Sequence, residues 1–122
     1  MKALIVDDSG VTRQLLRGML EVRGAMCSEA GDGCVGLEKL HSDGPFDLVL
    51  LDWNMPRMDG VEMLRRMRAQ GMVGPRVVMI STHTENDDIV AALDAGADEY
   101  LMKPFDDEAL AQKLALVGFP AE

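Results

Sequence analysis

The chain contains little of several features that would assign it to a specialised class of protein. It has two cysteines in 122 residues, Cys27 and Cys34, with neither the spacing of a metal motif nor the density of a disulfide framework. No apolar stretch approaches the length needed to cross a bilayer, and the apolar start at 3–6 is too short for a secretory signal. These absences favour a reduced, cytoplasmic compartment and argue against a membrane protein.

Positive charge is also scarce, since 12 Lys and Arg stand against 21 Asp and Glu, giving a net charge of −9. A surface that binds duplex nucleic acid needs clustered basic residues. The local basic cluster at 65–68 is interpreted as the solvated face of a helix. We therefore expect no nucleic-acid partner.

Length and composition indicate one globular domain over residues 1–122, large enough for a full hydrophobic core. Short apolar runs alternate five times with stretches of helical periodicity. The strands are predicted at 3–6, 26–30, 48–51, 77–80 and 100–102, and the helices at about 11–23, 35–40, 60–69, 86–95 and 107–116. This alternation predicts an α/β fold with a parallel sheet, helices on both faces and right-handed crossovers. The partly polar second strand is expected at an edge.

Reactive side chains follow four of the five predicted strands. Asp7 and Asp8 follow the first, Asp52 the third, the Ser81-Thr82 pair the fourth, and Lys103 the fifth. In sheets of this kind ligands bind beyond the carboxyl ends of the strands. We therefore expect these groups to meet at one edge.

Carboxylates that meet at one edge repel one another, and a divalent cation resolves the repulsion. All-oxygen ligands select a hard ion, and few protein ligands with room for water suit Mg²⁺. Asp7, Asp8 and Asp52 are the candidate metal ligands. A carboxylate can also attack phosphorus to form an acyl phosphate, in which case Lys103 would neutralise phosphoryl oxygens and Ser81 could donate a hydrogen bond to one.

Several short motifs together resemble those of receiver domains of two-component response regulators, and most of all the stand-alone chemotaxis members of that family. The resemblance covers essentially the whole chain. The motifs are Val6-Asp7-Asp8-Ser9, Asp52-Trp53-Asn54-Met55-Pro56 with Met58-Asp59-Gly60, Ser81, Ala95-Gly96-Ala97 and Lys103-Pro104-Phe105. It implies a flavodoxin-like (βα)5 three-layer sandwich with a five-stranded parallel sheet in the order 2-1-3-4-5.

The resemblance also implies a role for each site residue. Asp52 would be the phosphoacceptor, Asp8 a direct Mg²⁺ ligand, and Asp7 a neighbour that often acts through water. The backbone carbonyl of Asn54 would complete the protein ligands. Ser81 and Tyr100 stand at the switch positions, and the Lys103-Pro104 bond would be cis.

As implied by the resemblance, the phosphoryl donor would be a CheA-like sensor histidine kinase or a phosphotransfer domain. The target would be a protein bound by the fourth helix, fifth strand and fifth helix, on a face that includes Leu93, Tyr100, Met102 and Lys113. Phosphorylation would draw in Ser81 and let Tyr100 rotate inward, a population shift. The domain would act as a monomer with no output domain, and would catalyse only its own phosphorylation and dephosphorylation.

Three residues depart from the chemotaxis pattern: His83 stands where those proteins have Glu, Arg57 replaces a neutral residue and Thr84 a smaller one. Asn54 and His83 flank the expected path of the attacking water. We therefore predict that His83 alters the lifetime of the phosphate.

Other interpretations stay open from the residues alone. An Asp-nucleophile phosphatase or dehalogenase would need a second carboxylate where Asn54 stands, and a cap over its substrate. A flavodoxin-like electron carrier would need a phosphate loop after the first strand, where Asp7 and Asp8 would repel phosphate. The segment at 31–36 fits a dinucleotide-binding glycine pattern, although its glycines more simply serve a turn. Asp7 and Asp8 could also cap a helix, and Tyr100 could be core filler.

Overall fold

The computed structural model describes residues 1–119 of the chain. Strands and helices alternate through these residues, and all ten predicted elements are present. The elements are β1 (Lys2–Val6), α1 (Gly10–Glu21), β2 (Met26–Ala30), α2 (Gly33–Ser42), β3 (Leu48–Asp52), α3 (Gly60–Ala69), β4 (Arg76–Ser81), α4 (Asn86–Ala95), β5 (Glu99–Met102) and α5 (Asp107–Leu116). Within the described residues, no helix combines the length and apolar composition that spanning a bilayer requires.

The five strands form one parallel sheet in the order β2-β1-β3-β4-β5, which confirms the predicted topology. The partly polar strand β2 lies at an edge, as predicted, because it has a neighbour on one side only. Strands β1, β3 and β4 lie inside the sheet and are almost wholly buried. Their continuous apolar runs are what burial on both faces requires.

Helices cover both faces of the sheet and form the three layers. Alternate residues of β1, such as Ala3 and Ile5, pack with α1 and α5 on one face. Leu4 and Val6 pack on the other face with side chains from α2, α3 and α4. This division follows from the period of two along a strand, which sends successive side chains to opposite faces.

Side-chain caps fix where most of the helices begin. Ser9 accepts a hydrogen bond from the Thr12 amide, and Asp106 accepts one from the Ala109 amide, so both are N-caps. Asp32 caps α2 in the same way, so this helix begins at Gly33, earlier than predicted, and continues to Ser42.

Helix α1 ends at Glu21, two residues before the predicted end. Gly24 adopts a φ of +87°, and its amide donates to the Glu21 carbonyl at 2.9 Å. The helix therefore ends two residues earlier than its apolar periodicity suggested, because the chain must reverse into β2.

The loop between β3 and α3 folds back on the end of its own strand. Strand β3 runs through Asp52, and the Gly60 amide donates to the Trp53 carbonyl at 2.8 Å. A Cβ added at Gly60 would collide with the backbone carbonyl of Asp52. Glycine at position 60 therefore permits the close approach that holds this loop beside Asp52.

Candidate functional site

Three carboxylates meet at the carboxyl edge of the sheet. One oxygen each from Asp7, Asp8 and Asp52 lies within 4.8 Å of the others. Asp7 and Asp52 are 2% and 8% exposed, whereas Asp8 is exposed. The end of β1 and the end of β3 position this cluster, because β1 and β3 are parallel neighbours.

Lys103 joins two of these carboxylates from the end of β5. Its Nζ donates to Asp7 Oδ2 at 3.1 Å and to Asp52 Oδ1 at 3.2 Å. Burial alone would lower the pKa of Lys103, but attraction by Asp52 and Asp7 outweighs it and raises that pKa. The Lys103-Pro104 peptide bond is cis, as the resemblance implied.

The charged form of the Asp52 carboxyl group is destabilised by its surroundings. Burial raises its pKa, repulsion by Asp7 raises it further, and Lys103 opposes both effects only in part. A second positive charge would relieve this repulsion. Three oxygen donors with an exposed carboxylate among them fit a hard divalent cation such as Mg²⁺, which keeps part of its hydration shell.

The backbone at the end of β1 is held by contacts that the sequence did not indicate. Arg13 donates from Nη1 to the Asp7 carbonyl at 2.6 Å and from Nε to Glu29 at 2.9 Å. Asp7 Oδ1 accepts from the Ser9 amide at 2.9 Å, while Ser9 itself caps α1. Asp7 is therefore not the helix cap, and its second oxygen, Oδ2, accepts the hydrogen bond from Lys103.

Ser81, the last residue of β4, is 1% exposed and accepts a hydrogen bond from the His83 amide at 3.0 Å. Tyr100 is 6% exposed, and its hydroxyl donates to the His83 carbonyl at 2.8 Å. Burial raises the pKa of Tyr100. The structure therefore shows Tyr100 turned inward, the position that the resemblance associates with the switched form.

The side chain of His83 is held between the loop after β3 and the first turn of α4. Its ring stacks on Trp53, with the centroids 4.3 Å apart and the planes 5° from parallel. Its Nε2 lies 3.0 Å from Asn54 Nδ2, and its Nδ1 lies 3.3 Å from Asp88 Oδ2. The sequence predicted that His83 and Asn54 lie close together, but neither the stack nor the Asp88 contact was foreseen.

The glycine-rich segment before α2 has a structural role in this chain. A Cβ at Gly33 would meet Met58 at 2.8 Å, and one at Gly36 would meet a side chain of α3. Asp32, which directly precedes Gly33, accepts hydrogen bonds from Arg57 at 2.6 and 2.9 Å. These glycines allow close packing of α2 against the loop and α3, which supports the turn interpretation over a dinucleotide site.

A five-stranded doubly wound sheet with an acidic cluster and a lysine at its carboxyl edge places this protein in the flavodoxin-like α/β class. Residues 3–115 match the family model described as the response regulator receiver domain, and the chain belongs to this family.

Curated relatives place the chain near the chemotaxis branch of the family. It is 39% identical over 116 residues to the chemotaxis protein CheY of Pseudomonas aeruginosa, with 93% of each chain covered. It is 41% identical over 118 residues to the response regulator MprA of Mycobacterium avium, covering 96% of this chain and 51% of that protein.

Solved structures agree with this placement. The chemotaxis response regulator CheY4 of Vibrio cholerae superposes with a TM-score of 0.88 at 33% identity, covering 95% of this chain and 97% of that one. The receiver domain of the Francisella response regulator 1452 superposes with a TM-score of 0.86 at 29% identity, covering 95% of both chains. The chain is thus a CheY-like receiver domain.

Proposed function

We propose that this receiver domain is activated by phosphorylation of Asp52 in the presence of Mg²⁺. The phosphoryl donor is a CheA-like sensor histidine kinase or a phosphotransfer domain. The observation that supports the proposal most directly is the pair of hydrogen bonds from Lys103 to Asp7 and Asp52, beside the exposed carboxylate of Asp8.

Each side chain has a part in the transfer. A carboxylate oxygen of Asp52 forms a bond to phosphorus while the bond from phosphorus to the donor's histidine nitrogen breaks, and the electron pair of that bond stays on the imidazole. Lys103 exchanges a carboxylate oxygen for a phosphoryl oxygen, and the Ser81 hydroxyl donates to another. Asp7, Asp8, Asp52 and the Asn54 carbonyl are the ligands that would hold Mg²⁺, which supplies charge neutralisation for the phosphoryl oxygens.

We propose no reaction on an outside substrate, so that the domain catalyses only its own phosphorylation and dephosphorylation. Asn54 stands where an Asp-nucleophile phosphatase needs its acid, and its amide contacts His83. A groove of about 400 Å³ adjoins Lys103, lined by Thr12, Leu15, Thr82, Lys103, Pro104 and Phe105. Its lining is mostly uncharged, which suits contact with a donor protein better than recognition of a small polar substrate.

The proposed output surface is the face formed by α4, β5 and α5. Leu93 and Met102 are 42% and 43% exposed there, and Lys113 pairs with Glu99 at 2.9 Å. Tyr100 is turned inward at this face, so a protein target that prefers the inward position favours the phosphorylated form by linkage. The target is a chemotaxis-type signalling protein, and the domain acts on it as a cytoplasmic monomer without binding nucleic acid.

The proposal is tested by incubating the protein with acetyl phosphate and Mg²⁺ and measuring its intact mass. We expect a gain of one phosphoryl group that is abolished in Asp52→Asn and retained in Asp43→Asn, since Asp43 is a partly exposed acid at the end of α2. Trp53 adjoins Asp52, so its fluorescence should change when beryllofluoride and Mg²⁺ bind. Unchanged phosphorylation of Asp52→Asn, or none of the wild type, would contradict the proposal.

A further inference from the structure

Helix α4 is weakly anchored to the body of the domain. Ala92 is its one buried residue, whereas α3 buries five. Its N-cap, Glu85, makes no side-chain capping hydrogen bond, and Val90 and Leu93 are 53% and 42% exposed. A helix that buries so little apolar surface depends for its position on contacts at its two ends.

The C-terminal end of α4 is fixed by Arg68 of α3. The guanidinium donates to the Gly96 carbonyl from Nη2 at 2.9 Å and from Nε at 3.2 Å, and also to the Met72 carbonyl. Gly96 has a φ of +120°, and a Cβ there would meet the Arg68 side chain at 2.7 Å. Five hydrogen bonds from the three nitrogens of this partly buried side chain make this end a fixed point.

The N-terminal end of α4 is held differently, through the ring of His83. Asp88, in the first turn, lies 3.3 Å from His83 Nδ1. The same ring stacks on Trp53 and contacts Asn54, the two residues that follow Asp52. One side chain therefore lies between the phosphoacceptor loop and this end of α4.

The backbone of His83 extends the same connection to the two switch residues. Its amide donates to Ser81 Oγ, and its carbonyl accepts from the Tyr100 hydroxyl. A displacement of the loop after Asp52 must therefore either carry His83 with it or break the stack with Trp53. A Glu at position 83, as in chemotaxis proteins of the resemblance, would set a carboxylate against Asp88, and like charges at that distance repel.

We propose that His83 is a positioning residue that couples the loop following Asp52 to the first turn of α4. The inference rests on the proposed phosphorylation of Asp52. It specifies that the resulting conformational change reaches α4 through His83. The first turn of α4 moves about the end fixed by Arg68, so residues 86–90 respond to phosphorylation more than residues 93–96. This movement changes the position of Val90 on the proposed output surface formed by α4, β5 and α5.

The experiment compares amide hydrogen exchange in α4 among wild type, His83→Ala, Asp88→Asn and the double variant. Asp87→Asn is the matched control, because Asp87 lies in the same turn and has no ion pair within residues 1–119. Without phosphoryl analogue, we expect exchange in residues 86–90 to rise roughly threefold in both test variants, the size expected for the loss of one hydrogen bond. The double variant should exchange no faster than His83→Ala, and α5 should be unaffected.

A second arm adds beryllofluoride and Mg²⁺ to the wild type and to Asp88→Asn. Trp53 fluorescence should show binding in both proteins, but the change of exchange in residues 86–90 should be lost in Asp88→Asn. The coupling is wrong if Asp88→Asn behaves like Asp87→Asn in the first arm. It is also wrong if the increases in exchange caused by His83→Ala and Asp88→Asn add up in the double variant. If the wild type gives no Trp53 response, the proposed phosphorylation fails instead, and the first arm still decides the coupling.

Discussion

Lys103 Nζ lies 3.2 Å from Asp52 Oδ1, although 51 residues separate the two in sequence. The contact places a permanent positive charge beside the carboxylate that we expect to be phosphorylated. Because the pKa of Lys103 is raised, it stays charged throughout the neutral range. The role proposed for this amine is to bind a phosphoryl oxygen.

Replacing Lys103 by Met should lower the affinity for beryllofluoride by about tenfold or more, since hydrogen bonds to charged groups contribute about 1.5–3 kcal/mol. Trp53 fluorescence titrated at saturating Mg²⁺ measures the affinity. Lys39→Met serves as the control, because Lys39 is a partly exposed lysine of α2 paired loosely with Asp43 at 3.8 Å. Equal affinities in wild type and Lys103→Met would show that the amine does not bind the analogue.

Asp52→Asn should make the protein more stable at neutral pH in the absence of divalent cations. Burial, and then repulsion by Asp7, raise the pKa of Asp52 in the folded state. The folded protein therefore binds a proton at this site more readily than the unfolded chain does, and ionisation of Asp52 opposes folding. The favourable contribution is present below the ordinary pKa and is lost as the pH rises through the folded pKa.

We therefore expect Asp52→Asn to raise the free energy of unfolding at pH 7 by about 1–3 kcal/mol, the usual size of a substantial single-site effect. The difference should vanish below the ordinary Asp pKa of about 4. Urea unfolding at both pH values measures it, with Asp43→Asn as a control at a partly exposed carboxylate. Added Mg²⁺ should stabilise the wild type more than the variant, and a variant less stable than wild type at pH 7 would contradict the argument.

The sequence was sufficient to predict the sheet and the meeting of its acidic residues. Parallel strands all point their carboxyl ends to one edge, so residues at the ends of β1, β3 and β5 must lie near one another once the strand order is known. Asp7, Asp52 and Lys103 meet for that reason. Apolar runs and turn residues located the strands well, since burial on both faces leaves few alternatives.

Contacts that depend on loop conformation could not be predicted in the same way. The stack of His83 on Trp53 joins two loops, and Arg57 contacts Asp32 from a backbone position with a φ of +66°. Helical periodicity also missed the true start of α2, because Asp32 was interpreted as part of a turn and not as a cap. Such contacts depend on how individual side chains pack, and they leave no periodic pattern in the sequence from which they could be predicted.

Replacing His83 by Ala should shorten the lifetime of phosphorylated Asp52 severalfold. The ring is fixed over the start of the loop by Trp53 and Asn54, so its loss opens a path for water toward the acyl phosphate. Release of inorganic phosphate after removal of acetyl phosphate measures the rate. His41→Ala is the control, since His41 contacts Gln70 far from the site. An unchanged rate in both His83→Ala and His83→Glu would remove His83 from the hydrolysis step.

Arg57 combines an unfavourable backbone conformation with a favourable side-chain contact, and two substitutions separate these effects. Its φ of +66° lies in the left-handed region, while its guanidinium pairs with the buried carboxylate of Asp32. Both Arg57→Ala and Arg57→Gly remove the pair, but only Gly relieves the backbone. We expect Arg57→Gly to be more stable than Arg57→Ala by about 0.5–1 kcal/mol, after allowing for the larger chain entropy of Gly when unfolded.

The contribution of the Arg57–Asp32 ion pair to stability should depend on pH. Burial tends to raise the pKa of Asp32, but hydrogen bonds from the Val35 amide and from Arg57 outweigh it and lower that pKa. A group with a lowered folded pKa stabilises the protein above its ordinary pKa and loses that contribution as the pH falls through the folded value. The stability difference between wild type and Arg57→Gly, measured by urea unfolding, should therefore shift in favour of Arg57→Gly on acidification from pH 7 to about pH 3. A difference independent of pH would show that Arg57 acts on this loop through its backbone alone.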